Sequence, residues 1–256
     1  MLEAILLAFI QGITEWLPIS SSGHLALIQQ MLQFKSPVFF DVMLHLGTLI
    51  VILIVFREKI VKITKTVYLK NLATSEGKIL KLVIVGNIPI GIAYILFGND
   101  IKAMFSNAFA VAIAFLATGV VLFLTIRTRD GKDELTYMDS ILIGIAQAFA
   151  LIPGLSRSGL TIAIALLLGV KREQAAEFSF LLAIPAIIGA AIEESLTHKF
   201  TEIEILPILV GVMVAIAVGY VALKLLLRIV QRGKLYVFSV YCWLVGAVTL
   251  LFLFKV

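Results

Sequence analysis

The chain is a succession of apolar runs, two of which are broken by the same polar motif. Apolar segments near 38–56, 82–97, 108–126, 178–192, 205–223 and 236–254 do not alternate with polar residues. That predicts helices crossing a bilayer rather than the strands of a barrel. Several fall short of the roughly 20 residues of a straight span. Two further stretches, 2–35 and 138–170, are apolar but interrupted in the middle. Their arms, roughly 10–17 residues each, suit re-entrant hairpins better than crossings.

The two interruptions resemble each other. Residues 11–25 read QGITEWLPISSSGHL and residues 147–161 read QAFALIPGLSRSGLT, so Gln11, Ser20, Ser22 and Gly23 recur as Gln147, Ser156, Ser158 and Gly159. A weaker likeness joins FFDVMLHLGT at 39–48 to EFSFLLAIPA at 177–186. Polar breaks in matching positions of two halves point to a site at membrane depth between repeats.

Basic residues set the sides. Residues 57–81 hold Arg57, Lys59, Lys62, Lys65, Lys70, Lys78 and Lys81; residues 127–132 hold Arg127, Arg129 and Lys132; residues 224–234 hold Lys224, Arg228, Arg232 and Lys234. All three stretches are expected in the cytoplasm. Segment 98–107, with Lys102, and segment 193–204, with Glu193, Glu194, Glu202 and Glu204 against Lys199, are expected outside. The first hairpin then enters from the outer side and the second from the cytoplasmic side. Each half is one hairpin plus three crossings, an odd number, so the halves are oppositely oriented. The fold expected is an all-α integral membrane protein with inverted-topology repeats, six transmembrane helices plus two re-entrant helical hairpins. It forms a single membrane domain over 1–256, with repeats at about 1–130 and about 137–256.

Composition agrees. Of 256 residues, 61% are hydrophobic and 14% charged, against about 25% charged in soluble domains, and mean hydropathy is +1.09. The net charge of +5 reads as loop charge that sets topology, not as a nucleic-acid surface. The lone Cys242 excludes an internal disulfide. No basic segment precedes the first apolar run, which carries Glu3, so that run is not read as a cleaved signal peptide.

The breaks carry the candidate chemistry. Pro18 and Gly23 interrupt the helix in PISSSGHL, and Gly154 does so in PGLSRSG. Freed N–H groups, the hydroxyls of Ser20, Ser21 and Ser22, and helix N-termini are donors for an anion. Arg157 adds a planar donor suited to phosphate oxygens; near the bilayer middle it costs at least ~2.5–3.5 kcal/mol and needs a partner. Glu15 and His24 go beyond binding: a carboxylate beside an anion site holds a metal or moves a proton, and histidine serves as acid or base. Nucleophile, proton carrier, metal ligand and charge clamp together make a phosphoryl-transfer kit. Plainer roles stay open: Arg157 as Glu15's structural partner, Glu15 as a hydrogen-bond acceptor, His24 as a helix cap. Asp41 and His45 share a helical face and read as interfacial or supporting. Glu177 reads as structural, and Asn87 with Pro89 as a kink.

At QGITEWLPISSSGHL and PGLSRSG the chain closely resembles the bacitracin-resistance family of undecaprenyl-diphosphate phosphatases, a likeness that extends to EFSFLLAIP at 177–185. The resemblance implies a multi-pass enzyme of the bacterial plasma (inner) membrane that hydrolyses undecaprenyl diphosphate to the monophosphate, with its active site toward the outer face. It implies catalytic Glu15, Ser21, His24 and Arg157. It implies a phosphate-binding surface from Gln11, Ser20, Ser22, Gly23, Gly154, Ser156, Ser158 and Gly159. It also implies a divalent cation, Mg or Ca, with Glu15 as the main acidic ligand; Gln11, left open as a second ligand, is an amide where many relatives carry a carboxylate, which weakens a picture of two carboxylates sharing the metal. The expected partners are the polyprenyl diphosphate lipid and the bilayer, with no nucleic acid and with a homodimer left open. Ser21 is the favoured nucleophile, with His24 moving its proton; Ser20, Ser22, His24 itself and metal-activated water are its rivals. The competing class is a carrier or flippase for a phosphorylated lipid, which needs the same anion pocket but no nucleophile.

Overall fold

A computed structural model describes residues 1–31, 38–129, 131–197 and 205–254. Lys199, Glu202 and Glu204 lie outside the described residues. Eleven α-helices follow in order among those described: α1 (Leu2–Trp16), α2 (Ser21–Met31), α3 (Val38–Val55), α4 (Arg57–Tyr68), α5 (Ser75–Met104), α6 (Ala108–Leu124), α7 (Tyr137–Phe149), α8 (Arg157–Leu167), α9 (Arg172–Thr197), α10 (Ile205–Gln231) and α11 (Val237–Leu253). The described residues contain no strand, only an isolated bridge between Lys132 and Val170.

Both broken stretches fold as helical hairpins. α1 and α2 flank the turn at Leu17–Ser20, and α7 and α8 flank the turn at Ala150–Ser156. The longest of these arms, α1 at 15 residues, spans about 22 Å and falls short of a ~30 Å hydrocarbon core. The count of crossings departs from the six expected. Four helices, α5, α6, α9 and α10, are long and apolar enough to cross, and α3 with α4 makes a fifth if the bent pair is one span. α11 covers the sixth expected segment, but its 17 residues span only about 25 Å. α4 was expected within a basic loop; it is a helix set at 85° to α3.

The halves are interleaved. α1 packs along α10 and, correspondingly, α7 along α5; α3 lies against α9 and α10, and α6 against α11. Each hairpin therefore rests on a helix of the other half. The core centres on Trp16 and Phe180, both fully buried and 5.6 Å apart edge to face. Asn87, expected to mark a kink, ties three helices: its amide donates to the carbonyls of Val83 (2.8 Å) and Leu182 (3.1 Å) and accepts from Gln147 (3.1 Å). Pro89 sits inside α5 without ending it. At the α7 start, burial alone would raise the Asp139 carboxyl, but the bond from Lys132 at 2.7 Å and those from Thr136 outweigh it and hold the group below its ordinary value.

Glycines let these helices approach closely, as membrane bundles require. A methyl group on Gly144 of α7 would collide with the Gly86 carbonyl of α5, a backbone atom that has no rotamer to move to. Gly144→Ala is therefore expected to destabilise the protein by about 1–3 kcal/mol, the usual range for an overpacked core, as read by thermal unfolding in detergent.

Candidate active site

The two turns are built alike. In the first, Leu17 is extended ahead of Pro18, as a residue before proline must be. Ser20 then caps the new helix, its hydroxyl accepting from the Gly23 N–H at 3.2 Å. In the second, the Ser156 hydroxyl accepts from the Gly159 N–H at 3.1 Å. Side-chain caps of this kind contribute about 1 kcal/mol each. The serine pairs match as well, with Ser20–Ser22 hydroxyls 3.3 Å apart and Ser156–Ser158 hydroxyls 3.4 Å apart. Thr118 of α6 pins the second turn by donating to the Gly154 carbonyl (3.0 Å) and accepting from the Ser156 N–H (3.2 Å).

The turns meet. A Cβ on Gly23 would fall 2.8 Å from Gly154 Cα, and one on Gly159 would fall 3.1 Å from Pro18 Cβ. Gly154, at φ +99°, occupies a conformation that glycine adopts without strain. Ser20 has φ +65°, where a side chain is strained. Its counterpart Ser156 has an ordinary φ of −82°. The strain thus sits in the first turn only, immediately before Ser21, and strain of this kind collects at functional sites.

Glu15 joins the two turns. It is 7% exposed. Its Oε1 accepts from Arg157 Nη2 at 2.5 Å, and its Oε2 accepts from Ser21 Oγ at 2.6 Å and Gln11 Nε2 at 3.1 Å. His45 Nε2 stands 3.8 Å from the same Oε2. Arg157 opens α8, where a cation opposes the helix dipole, so its position works against the helix and requires another cause. Its guanidinium lies 5.8 Å from the Trp16 ring. Its Nη1 is buried with no hydrogen-bond partner.

These groups line a cavity of about 970 Å³. Glu15, Ser20, Ser21, Ser22, Ser156 and Arg157 form its polar floor, with Asp41, His45 and Gln147 beside them. Leu25, Val42, Ile90, Leu151, Leu155 and Ile187 make apolar walls. Lys102, Phe105 and Ser106, from the α5–α6 junction, and Glu194 of α9 also line it. Lys102 bonds Glu193 at 3.0 Å, which links α5 to α9 there.

Not every residue expected at the site is brought to it. Gln11 is fully buried beneath Glu15, outside the cavity lining. Gly23, Gly154, Ser158 and Gly159 shape the turns but do not line the cavity either. His24 faces elsewhere. Its Nδ1 is 2.7 Å from the Ser20 carbonyl, its Nε2 is 2.8 Å from the Tyr241 hydroxyl, and its ring stacks on Tyr241 with Phe115 at its edge. The reason is helix phase: Ser21, Leu25 and Gln29 share the cavity face of α2 at four-residue steps, and His24 lies about 100° around from Leu25. The histidine that does reach Glu15 is His45, placed by its sequence pattern in a supporting position with Asp41. Its Nδ1 is 2.8 Å from the Asp41 carbonyl, which leaves Nε2 toward Glu15. The signal available for it was the FFDVMLHLGT/EFSFLLAIPA likeness, which made α3 part of the repeat. The sequence marked Lys102 only as an outer-loop charge, not as a residue of the cavity.

Among the described residues no group of three or more His, Cys, Asp or Glu side chains could cage a metal ion. Glu15 lines the cavity and could offer an oxygen to a hard cation held mainly by substrate phosphates, whereas the unpartnered Oε1 of Gln11 is buried outside the lining.

Residues 4–248 match the model of the family described as bacitracin resistance protein BacA. The chain belongs to the BacA family. Its relatives match it end to end. A protein of Carboxydothermus hydrogenoformans named undecaprenyl-diphosphatase is 41% identical over 97% of this chain and 95% of its own length. The protein of that name from Halothermothrix orenii is 41% identical over 95% of each chain. That from Methanobrevibacter smithii is 38% identical over 97% of this chain and 96% of its own.

Proposed function

We propose that the protein is an integral membrane phosphatase that hydrolyses undecaprenyl diphosphate to the monophosphate and inorganic phosphate, recycling the cell-wall carrier lipid and so conferring bacitracin resistance. One observation carries the reading: a buried Arg157 Nη1 without a partner, in a cavity where a serine hydroxyl is hydrogen-bonded to a carboxylate. An unsatisfied buried donor is costly, and a phosphate oxygen satisfies it with a charge-assisted bond. The apolar walls suit the first isoprene units of the tail.

The chemistry runs from the chain's own groups. Phosphate oxygens engage Arg157 and draw it from Glu15, which loses its counter-charge and becomes a stronger base. Ser21 Oγ attacks the terminal phosphorus while Glu15 takes its proton. The bond from that phosphorus to the bridging oxygen breaks, and the lipid monophosphate leaves with the electron pair. Water then attacks the phosphoserine, phosphate departs, and Ser21 regains a proton. Arg157 and the N–H groups opening α2 and α8 stabilise the charge on the transferring group. His45, beside Glu15 Oε2, relays the proton; His24 acts on Ser21 indirectly, through the Ser20 backbone. A divalent cation, Mg or Ca, held by Glu15, would neutralise diphosphate charge. A lipid carrier would need the anion pocket but not the 2.6 Å contact between Ser21 and Glu15, which favours the phosphatase.

The basic segments on one side of the helices support a cytoplasmic α4 and a cavity toward the outer face of the bacterial inner membrane. The matched turns and exchanged helix partners support inverted repeats. The site needs no second copy, since Glu15, Ser21, His45 and Arg157 come from one chain. Phosphate release from undecaprenyl diphosphate by purified protein in detergent tests the proposal, and no release above a protein-free control sinks it. His45→Ala is expected to lower kcat about a hundredfold, the scale of lost acid–base assistance, with KM little changed. Equal loss in His24→Ala and none in His45→Ala would return the proton to His24.

A further inference from the structure

A second cavity, of about 610 Å³, lies at the bend between α3 and α4. Arg57, Lys59, Lys62 and Lys224 line it, with Glu58 and Glu177. Lys59 is already paired with Glu177 at 3.1 Å, which fastens α4 to α9. Arg57, Lys62 and Lys224 then face Glu58, with Glu76 close enough to act on Lys59 and Lys62, so the pocket keeps a positive excess. The first turn of α4 lines it too, and the N-cap residue Phe56 gives those N–H groups no side-chain acceptor. Lys224 sits 5.8 Å over the Tyr220 ring.

α4 itself has an interfacial form. At 85° to α3 it runs near the membrane plane when α3 crosses it. Ile60 and Ile63 pack on the core, whereas Val61, Val67, Tyr68 and Leu69 are exposed alongside Lys62, Lys65 and Lys70. Exposed apolar groups beside lysines, on a helix lying flat, suit acyl chains below and headgroups above.

We infer that the cavity at the α3–α4 bend binds the phosphate of an anionic phospholipid, with α4 lying in the headgroup layer as its wall. Basic pockets between helices at the cytoplasmic surface recognise such headgroups. The site is separate from the Glu15–Arg157 cavity and independent of the phosphatase reading. A lipid is favoured over free phosphate because the pocket's cations are continuous with the exposed apolar residues of α4.

The test is lipid retention by the full chain after extraction from vesicles of equal phosphatidylglycerol and phosphatidylcholine, read by native mass spectrometry. The wild type is expected to retain phosphatidylglycerol at least about 25-fold over phosphatidylcholine. Lys62→Gln with Lys224→Gln is expected to reduce phosphatidylglycerol retention about 25-fold, from roughly fivefold per cation. Lys62→Arg with Lys224→Arg keeps it. Thermal unfolding in zwitterionic detergent monitors the fold; if the glutamine pair unfolds early, Arg57→Gln replaces it. Equal retention of the two lipids by the wild type overturns the inference, as does undiminished retention in a folded glutamine variant. Displacement of the lipid by an equal concentration of inorganic phosphate overturns the lipid assignment.

Discussion

Arg157→Ala is expected to lower kcat/KM at least about a thousandfold, the scale on which a single arginine stabilises a transferring phosphoryl group. Two causes act together. The variant loses the buried, unpartnered Nη1, which the proposed mechanism assigns to a phosphate oxygen, and it loses the Nη2 bond that holds Glu15 Oε1. Stability falls as well. Removing one partner of a buried ion pair costs about 3–5 kcal/mol because a charge stays behind unpaired. Here the cavity admits water to Glu15, so the lower end applies, and relief of a cation at the α8 N-terminus returns about 0.3–1 kcal/mol. Adding Glu15→Gln to Arg157→Ala is expected to restore much of the unfolding midpoint and none of the turnover. Arg157→Lys keeps the charge but loses the fork and is expected to fall between. Phosphate release and thermal unfolding on the same preparations separate the two effects. An Arg157→Ala enzyme within tenfold of the wild type would mean that the arginine serves only Glu15.

Ser21→Ala is expected to lower kcat about ten-thousandfold or more, as loss of a nucleophile does, while binding of the lipid diphosphate stays nearly intact. Its cost to stability is small, about 1 kcal/mol for one hydrogen bond, because Gln11 still donates to Glu15 Oε2. The neighbouring serines behave differently. Ser20→Ala removes the cap on α2, about 1 kcal/mol, and Ser22→Ala removes only the contact with Ser20. Both are expected to retain far more activity than Ser21→Ala. Acid-quenched enzyme given a diphosphate labelled in its terminal phosphate should carry label on Ser21. A Ser21→Ala protein that turns over normally would point to water as the nucleophile.

Much of the scaffold was legible in the chain. The two polar breaks fell where the turns are: Pro18 and Gly154 lie in the turns and Ser20 and Ser156 cap the helices that follow, whereas Ser21, Ser22 and Gly23, and Ser158 and Gly159, already belong to α2 and α8. The shared Ser-x-x-Gly spacing of the breaks became two matching caps, Ser20 with Gly23 and Ser156 with Gly159. Arg157 needed a buried partner, and Glu15 is that partner. α4 was not legible. Its core-facing stripe is only the buried Thr66 with the half-buried Ile60 and Ile63, which lysines obscure in a segment that reads as a basic loop. The sixth crossing was read from hydropathy alone, and α11, at 17 residues, lies at the short end of what a straight span needs.

What the sequence determined by itself was the rhythm of apolar runs, the two interruptions and the charges within them, since desolvation of backbone and side chains is decided residue by residue. The tertiary structure decided which histidine lies beside Glu15. Spacing along a helix sets the angle between His24 and Ser21, but the neighbours that cover each face come from distant segments: Phe115 and Tyr241 enclose His24, and α3 carries His45 to the carboxylate.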